Sequence, residues 1–575
     1  MSSLKLLLDK LQTKYKVAAF FSPLAMIGEV SMEVYIPLIM ARIIDTGIQN
    51  GDAAYTAKTG LLMILMAILS LAFGTLSARL AAVAALGFSK NLRQRLFAKV
   101  QNFSFSNIDK FSTASLVTRL TTDVTNLQNL FMMAVRTCIR SPVMLISAVI
   151  MSMKINVRLS LIFLCAIPIL ALFLGIIISK SFPKFQSMFQ KYDALNASVQ
   201  ENLNGIRVVK AYVRGRHENL KFECACDDLR KNQIDAEKIV ILNLPLMQIT
   251  MFVCTLLVIW FGARFIIAGS MQTGQLISFI TYNTQVLMSL MMISMIFISI
   301  VLSRVSILRV REVLLEKIRL QNNENAKTQS EKKFSIEFEN VSFSYNDKAD
   351  NKVLDRINLK IEQGTTLGIL GGTGSSKTTL VSLIPRLYDT LSGSVKIAGI
   401  DVKDWDMTEL RKHVAFVLQN NLLFSQTIRE NLKWGNEDAS DAEIEEACKI
   451  ACADDFINRL PEKYDTILSQ GGTNLSGGQK QRLCIARALL KKSEIIIFDD
   501  STSAVDTATE KKINKALRTS FSDTTKIIIA QRISSVVDAD VILVMDGGRI
   551  VDSGKHDELL SRCDIYREVY ETQSR

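Results

Sequence analysis

Three short stretches of this 575-residue chain carry the residue types that handle phosphate. Gly371-Gly372-Thr373-Gly374-Ser375-Ser376-Lys377-Thr378, continued by Thr379, follows an apolar run from Thr366 to Leu370. A glycine-rich turn between strand and helix lets backbone N–H groups point at phosphate oxygens, and the helix adds the positive end of its dipole. In that pattern Lys377 meets the terminal phosphates and Thr378 offers its hydroxyl to Mg²⁺. The run Ile495-Ile496-Ile497-Phe498 reads as a buried strand that delivers Asp499 to the same metal. The next residue, where a hydrolase of this plan places the Glu that acts on the attacking water, is Asp500. Between loop and strand lies Leu475-Ser476-Gly477-Gly478-Gln479. The order of loop, peptide and acid-ended strand points to a chain that binds ATP with Mg²⁺ and hydrolyses it poorly with its own acids.

Leu475 to Gln479 is similar to the signature peptide of ATP-binding-cassette proteins, and residues 330–575 as a whole resemble the nucleotide-binding domain of an ABC exporter. The resemblance implies roles for further residues. Tyr345 falls where the family stacks an aromatic on adenine, and Gln419 where a glutamine senses the γ-phosphate beside the metal. Ser503-Ala504-Val505-Asp506 falls where the D-loop runs, and Gln531 takes the position of the switch histidine. Two cassettes of this family sandwich two ATP molecules head to tail. Ser476, Gly477, Gly478 and Gln479 would therefore complete the nucleotide site of a partner chain.

This chain departs from the family pattern at Asp500, Gln531 and Ser376. Asp in place of Glu withdraws the carboxylate by on the order of 1 Å, a misplacement that can cost about 100-fold. Glutamine can hydrogen-bond but cannot carry the proton or charge of an imidazole. Ser376 stands where the loop pattern has glycine, which costs roughly 1–2 kcal/mol if the backbone there is left-handed. Lys377, Thr378 and Asp499 are kept, so ATP still binds. The chain thus resembles the degenerate half of bacterial heterodimeric multidrug exporters, its partner a second half-transporter with an intact catalytic Glu and switch His.

Positioning these residues requires an α/β P-loop domain, expected over 334–575, and the rest of the chain is of a different kind. Six apolar segments, near 17–43, 59–86, 129–153, 158–180, 239–268 and 275–303, are each long enough to cross roughly 30 Å of hydrocarbon. An α-helical membrane domain of the ABC exporter type is expected over 1–320, with a polar linker over 321–333. Lys and Arg cluster before the first span, after the second and after the fourth, which puts both termini and the cassette in the cytoplasm by the positive-inside rule; the resemblance implies that the cell is bacterial. Lys154 and Arg158 run mildly against it. The polar stretches 87–128 and 181–238 suit paired helical rods; the second, about 58 residues out and back, would project roughly 40 Å. By resemblance, turns near 112–119 and 211–218 would be the coupling helices.

Composition narrows the function classes. Hydrophobic residues make up 49% of the chain and the formal charge is +12; beside apolar spans that excess of positive charge fits anionic lipid headgroups rather than nucleic acid. A soluble DNA-repair ATPase with a similar peptide is opposed by the six spans. The nine cysteines include no C-x-x-C pair, and His217, His413 and His556 lack metal-site spacing. Within the spans, Glu29 and Glu33 share one helix face and could attract cationic amphiphiles or pair with Arg79, Arg136 or Arg140. Met288, Met291, Met292 and Met295, with Phe297, offer adaptable apolar surface. The expected activity is ATP-driven export of hydrophobic or amphiphilic drugs or lipids. The alternatives are a lipid flippase and a nucleotide-gated regulatory or channel subunit.

Overall fold

The computed structural model describes every residue except 1–2, 331, 347–351, 502–504 and 575. The chain divides into two compact units: Met1–Gln101 with Ser112–Glu316, and Asn102–Phe111 with Lys317–Arg575.

Among the described residues, the first unit holds six helical spans long and apolar enough to cross a membrane: Thr13–Ile48, Ala53–Gln101, Thr113–Ile155, Val157–Asn204, Gly215–Ile267 and Thr273–Leu315. Each apolar segment of the sequence falls on one of them. Their outward faces are apolar, with Leu61, Leu71 and Leu172 largely exposed, as suits a hydrocarbon solvent that leaves each helix to satisfy its own backbone. Inside, Met26, Val30, Val34, Met144, Tyr282 and Val286 form a shared core. Polar groups there find partners across helices: Tyr282 donates its hydroxyl to the carbonyl of Val34 at 2.6 Å, and Ser22 to that of Ser77 at 3.0 Å. Such contacts substitute for the hydrophobic drive that lipid does not supply.

The second polar stretch forms the expected rods. Val157–Asn204 runs out, the short helix Ile206–Ala211 turns, and Gly215–Val240 returns. The Ser187–Asn232 and Asn202–Glu218 hydrogen bonds and the Lys191–Asp228 ion pair stitch the two rods together. The short helices differ in position from the expected turns. Phe105–Lys110, not 112–119, belongs to the cassette unit: Asp109 accepts a 2.8 Å hydrogen bond from the Tyr388 hydroxyl, and Asn107 donates to the carbonyl of Lys317 at 2.9 Å. Ser112 caps the following helix, Thr113–Thr118, which lies in the membrane unit. Likewise the second short helix is Ile206–Ala211, and the second half of 211–218 already belongs to the returning rod.

Among the described residues, ten strands of the cassette unit form two sheets. An antiparallel sheet has the order β2-β1-β4-β5, from Ile336–Phe343 (β1), Leu354–Ile361 (β2), Ser392–Ile397 (β4) and Ile400–Asp401 (β5). The larger sheet runs β10-β9-β3-β8-β7-β6, from Thr366–Gly371 (β3), Val414–Val417 (β6), Ile495–Asp499 (β7), Thr525–Ile529 (β8), Val541–Asp546 (β9) and Arg549–Gly554 (β10). The five strands from β3 through β9 are parallel, and β10 pairs antiparallel at the edge. Strands of a parallel sheet covered on both faces read as continuous apolar runs, which is why β7 is all isoleucine and phenylalanine before its acid. Its side chains alternate between two cores: Ile495 and Ile497 pack with β1, β2 and β4, whereas Ile496 and Phe498 pack with Leu483, Ile485 and Leu489 of the helix Gly477–Leu490. The polar run expected as a linker is tied to the cassette. Lys327 donates its N–H to the carbonyl of Asp404, and its own carbonyl accepts from the N–H of Asp406.

Candidate nucleotide site

Four adjacent parallel strands, β3, β8, β7 and β6, end at one edge of the sheet, and each delivers a residue there. Register aligns Ile369 with Ile529, Ile529 with Asp499, and Phe498 with Val417. The glycine-rich loop after β3, Gln531 after β8, Asp499 and Asp500 at the end of β7, and Gln419 after β6 therefore converge. This is the crevice at the carboxyl ends of strands where open α/β sheets take ligands.

A cavity of about 280 Å³ lies at this edge, lined by Thr373, Gly374, Ser376, Lys377, Thr378, Thr379, Gln419, Asp499, Asp500 and Gln531 together with Ile529. Lys377 Nζ donates to the carbonyls of Gly371 and Gly372, both at 2.8 Å, and to Ser375 Oγ at 3.2 Å. A Cβ on Gly371 would stand 2.3 Å from the carbonyl oxygen of Met545, so only glycine fits. Gly374 and Ser376 both have left-handed backbone, at φ 86° and 70°. Ser376 thus carries the steric cost that glycine avoids.

Thr378 Oγ1 donates to Asp499 Oδ1 at 3.0 Å, and Asp499 is buried. A hydroxyl and a buried carboxylate are hard oxygen donors facing one cavity. That set fits Mg²⁺, which takes one or two protein ligands and keeps its remaining positions for waters and phosphate oxygens. Burial raises the Asp499 carboxyl above its ordinary range, against the pull of the Thr378 hydrogen bond and Lys377. Burial raises Asp500 as well, with Lys377 and Arg532 opposing, and it lowers the ammonium of Lys377. Each shift has the sign of a charge short of solvation, which a divalent cation and polyphosphate would supply.

Asp500 itself has left-handed backbone, φ 47°, which Asp tolerates better than most residues. Its Oδ2 accepts a 3.0 Å hydrogen bond from Gln531 Nε2. Two of the three residues that depart from the family pattern are thus bound to one another. On their other side lies a larger cavity of about 770 Å³, lined by Arg532, Tyr570 and Gln573 among others.

Tyr345 stands beside the loop and shares a 2.9 Å hydrogen bond with Thr379. Its ring meets Tyr388 edge-on at 5.3 Å. Neither tyrosine lines the cavity, and no spacing in the sequence links Tyr388 to Tyr345 or to the Asp109 carboxylate it binds. Ser476, Gly477, Gly478 and Gln479 line neither cavity. They open the helix Gly477–Leu490, with Ser476 and Gln479 exchanging the hydrogen bonds of a capping box. Of the D-loop residues, Ser503 and Ala504 fall outside the described residues; Asp506 caps the helix Thr507–Ser520.

The left-handed backbone of Ser376 gives a direct expectation. Ser376→Gly removes roughly 1–2 kcal/mol of steric cost and returns part of it through a freer unfolded chain. The cassette's calorimetric transition should rise by about 2–4 °C for a net 1 kcal/mol. An unchanged or lower transition would show that the loop accommodates the serine without strain.

Residues 20–306 match the ABC transporter transmembrane region and residues 354–503 the ABC transporter cassette. The chain is 39% identical to the ABC transporter ATP-binding protein YfiB of Bacillus subtilis over 97% of both chains. It is 35% identical to an ABC transporter ATP-binding protein of Mycobacterium tuberculosis, over 94% of this chain and 93% of that one. The solved structure of a bacterial Atm1-family ABC exporter with ATP bound superposes with a TM-score of 0.85 at 25% identity, covering 98% of this chain and 99% of that one. With six apolar spans, a phosphate loop and an acid-ended strand meeting at one sheet edge, and relatives matched over more than nine-tenths of both chains, the chain belongs to the ABC transporter family as an exporter-type half-transporter.

Proposed function

We propose that this chain is the degenerate-site subunit of a heterodimeric, ATP-driven exporter of hydrophobic or amphiphilic compounds, drugs or lipids. The observation that carries the reading is the Gln531–Asp500 hydrogen bond. It ties the shortened acid to a side chain that cannot take up a proton, at the place where attacking water must be oriented. Nucleotide is held by the loop 371–379, with Tyr345 on the base. Thr378 and Asp499, with Gln419 beside them, would hold Mg²⁺, which would supply positive charge to the phosphates. Ser476, Gly477, Gly478 and Gln479, outside this chain's own cavity, serve the partner's site, where the main hydrolysis occurs. Both termini and the cassette lie in the cytoplasm of a bacterial cell, with the spans in its cell membrane.

The purified full chain alone should show little ATPase activity and gain it with a different half-transporter that has a catalytic Glu and a switch His. Inside-out vesicles holding both chains should take up amphiphiles only with ATP. Robust hydrolysis by the chain alone would overturn the heterodimer, and nucleotide-gated flux without ATP consumption would point to a channel.

A further inference from the structure

The membrane unit contains a cavity of about 420 Å³ whose lining includes Glu33, Arg136, Arg140, Gln285, Met288 and Met292. Its volume is that of a small-molecule site. Glu29 and Glu33, one helical turn apart, both bind one guanidinium: Arg140 Nη1 reaches Glu29 Oε1 at 2.6 Å, and Nη2 reaches Glu33 Oε2 at 2.7 Å. Of the three arginines that could pair with these acids, Arg140 takes both. A purely cationic ligand would have to displace a two-armed, charge-assisted contact, the strong kind of hydrogen bond.

What the cavity leaves to a ligand has both signs. Arg136 sits at the break between the helices Val124–Val135 and Thr137–Ile155 and has no ion pair among the described residues. Opposing it in polarity are acceptors. Glu33, which meets Arg140 through one oxygen, also faces the cavity. The Oε1 of Gln285 is buried without a hydrogen-bond partner. Buried polar atoms are normally satisfied, and ionisable side chains within a span mark a ligand path by default. Met144, Met288 and Met292 supply adaptable apolar lining.

We propose that this cavity binds a zwitterionic amphiphile. Its anionic group meets Arg136, its ammonium or N–H donor meets Glu33 and Gln285, and its apolar body lies on the methionines. This rests on the export reading but narrows the cargo from any amphiphile to one bearing both charges, with the chemistry of a phosphoethanolamine headgroup on an apolar tail.

The test uses the full chain in uncharged maltoside micelles, without nucleotide or partner chain, and four probes. Three share a pyrenebutyl body and carry phosphoethanolamine, phosphate alone or ammonium alone; free phosphoethanolamine competes as the fourth. Fluorescence anisotropy should rank the zwitterion tightest, by about tenfold or more over either single charge, with free phosphoethanolamine a weak competitor. Arg136→Gln should weaken the two tailed phosphate-bearing probes by about tenfold or more and should not weaken the ammonium probe. Gln285→Leu should weaken the zwitterion and ammonium probes but not the phosphate one. Arg136→Lys keeps the charge and should keep the zwitterion preference, which separates loss of charge from loss of fold.

Equal or tighter binding of the ammonium probe, or indifference to Arg136→Gln, overturns the proposal. Free phosphoethanolamine binding as tightly as its tailed form also overturns it, because the site would then serve a soluble zwitterion. ATP-dependent uptake by the heterodimer is measured separately, so a failed ranking here leaves the export reading standing.

Discussion

Gly477→Asp in the proposed heterodimer is expected to reduce ATP turnover by about 100-fold or more, the scale seen when a donor facing transition-state charge is lost. The substitution has two opposite consequences, which makes it informative. Gly477 is the first residue of a 14-residue helix capped by Ser476 and Gln479. An acid in the first turn of a helix is favourable by about 0.3–1 kcal/mol, so the cassette should be at least as stable as before. The same carboxylate would face the terminal phosphate of the partner's nucleotide and repel it. Lys377→Ala acts on the other site: it removes the ammonium held by the loop carbonyls and should strip nucleotide from this chain's own cavity, while lowering turnover by less than about tenfold. Steady-state ATPase together with bound-nucleotide counting would check both. If Lys377→Ala proved the more damaging, the hydrolytic and regulatory sites would have been assigned backwards.

Asp500→Glu combined with Gln531→His should raise hydrolysis at this chain's own site by on the order of 100-fold, the lower end of what a positioned general base contributes. The measurement requires a partner whose catalytic Glu is changed to Gln, so that its own site is silent. The structure explains why neither change should suffice alone. Asp500 has left-handed backbone and is hydrogen-bonded to Gln531. A longer side chain there gains reach to the water but meets the roughly 1–2 kcal/mol cost of that backbone region. It would also still be bound to an amide that cannot share a proton. Imidazole at position 531 replaces that tether with a group that titrates near neutrality. Adding Ser376→Gly, whose own backbone is left-handed, tests whether the phosphate loop limits the repaired site. No gain from all three together would show that the acid and switch positions are not what holds this site back.

The residues themselves decided a large part of this protein. Local chemistry fixes a phosphate loop, because glycine conformations and a lysine at set spacing are properties of a few consecutive residues. Hydrophobic length fixes spans, because hydrocarbon accepts only apolar helices of sufficient reach. The six spans and the α/β cassette were legible for these reasons, and Thr378 does meet Asp499 through a hydrogen bond.

Other features depend on contacts between residues far apart in sequence, and only the tertiary structure decided them. That Ser376 is left-handed follows from how the loop closes over β3. That Gln531 binds Asp500 follows from β8 lying beside β7, a pairing of strands that sequence order does not dictate. The short helix Phe105–Lys110 joins the cassette unit through Asp109 and Tyr388, 279 positions apart, and periodicity carries no trace of such a contact. The same holds in the membrane. Glu29 and Glu33 are visibly on one face, since helical spacing is local. Three arginines were available to them, and packing of the helices Thr13–Arg42 and Thr137–Ile155 chose Arg140. That choice left Arg136 to the cavity, because a guanidinium's partner is set by which helix faces meet, and no single helix contains that information.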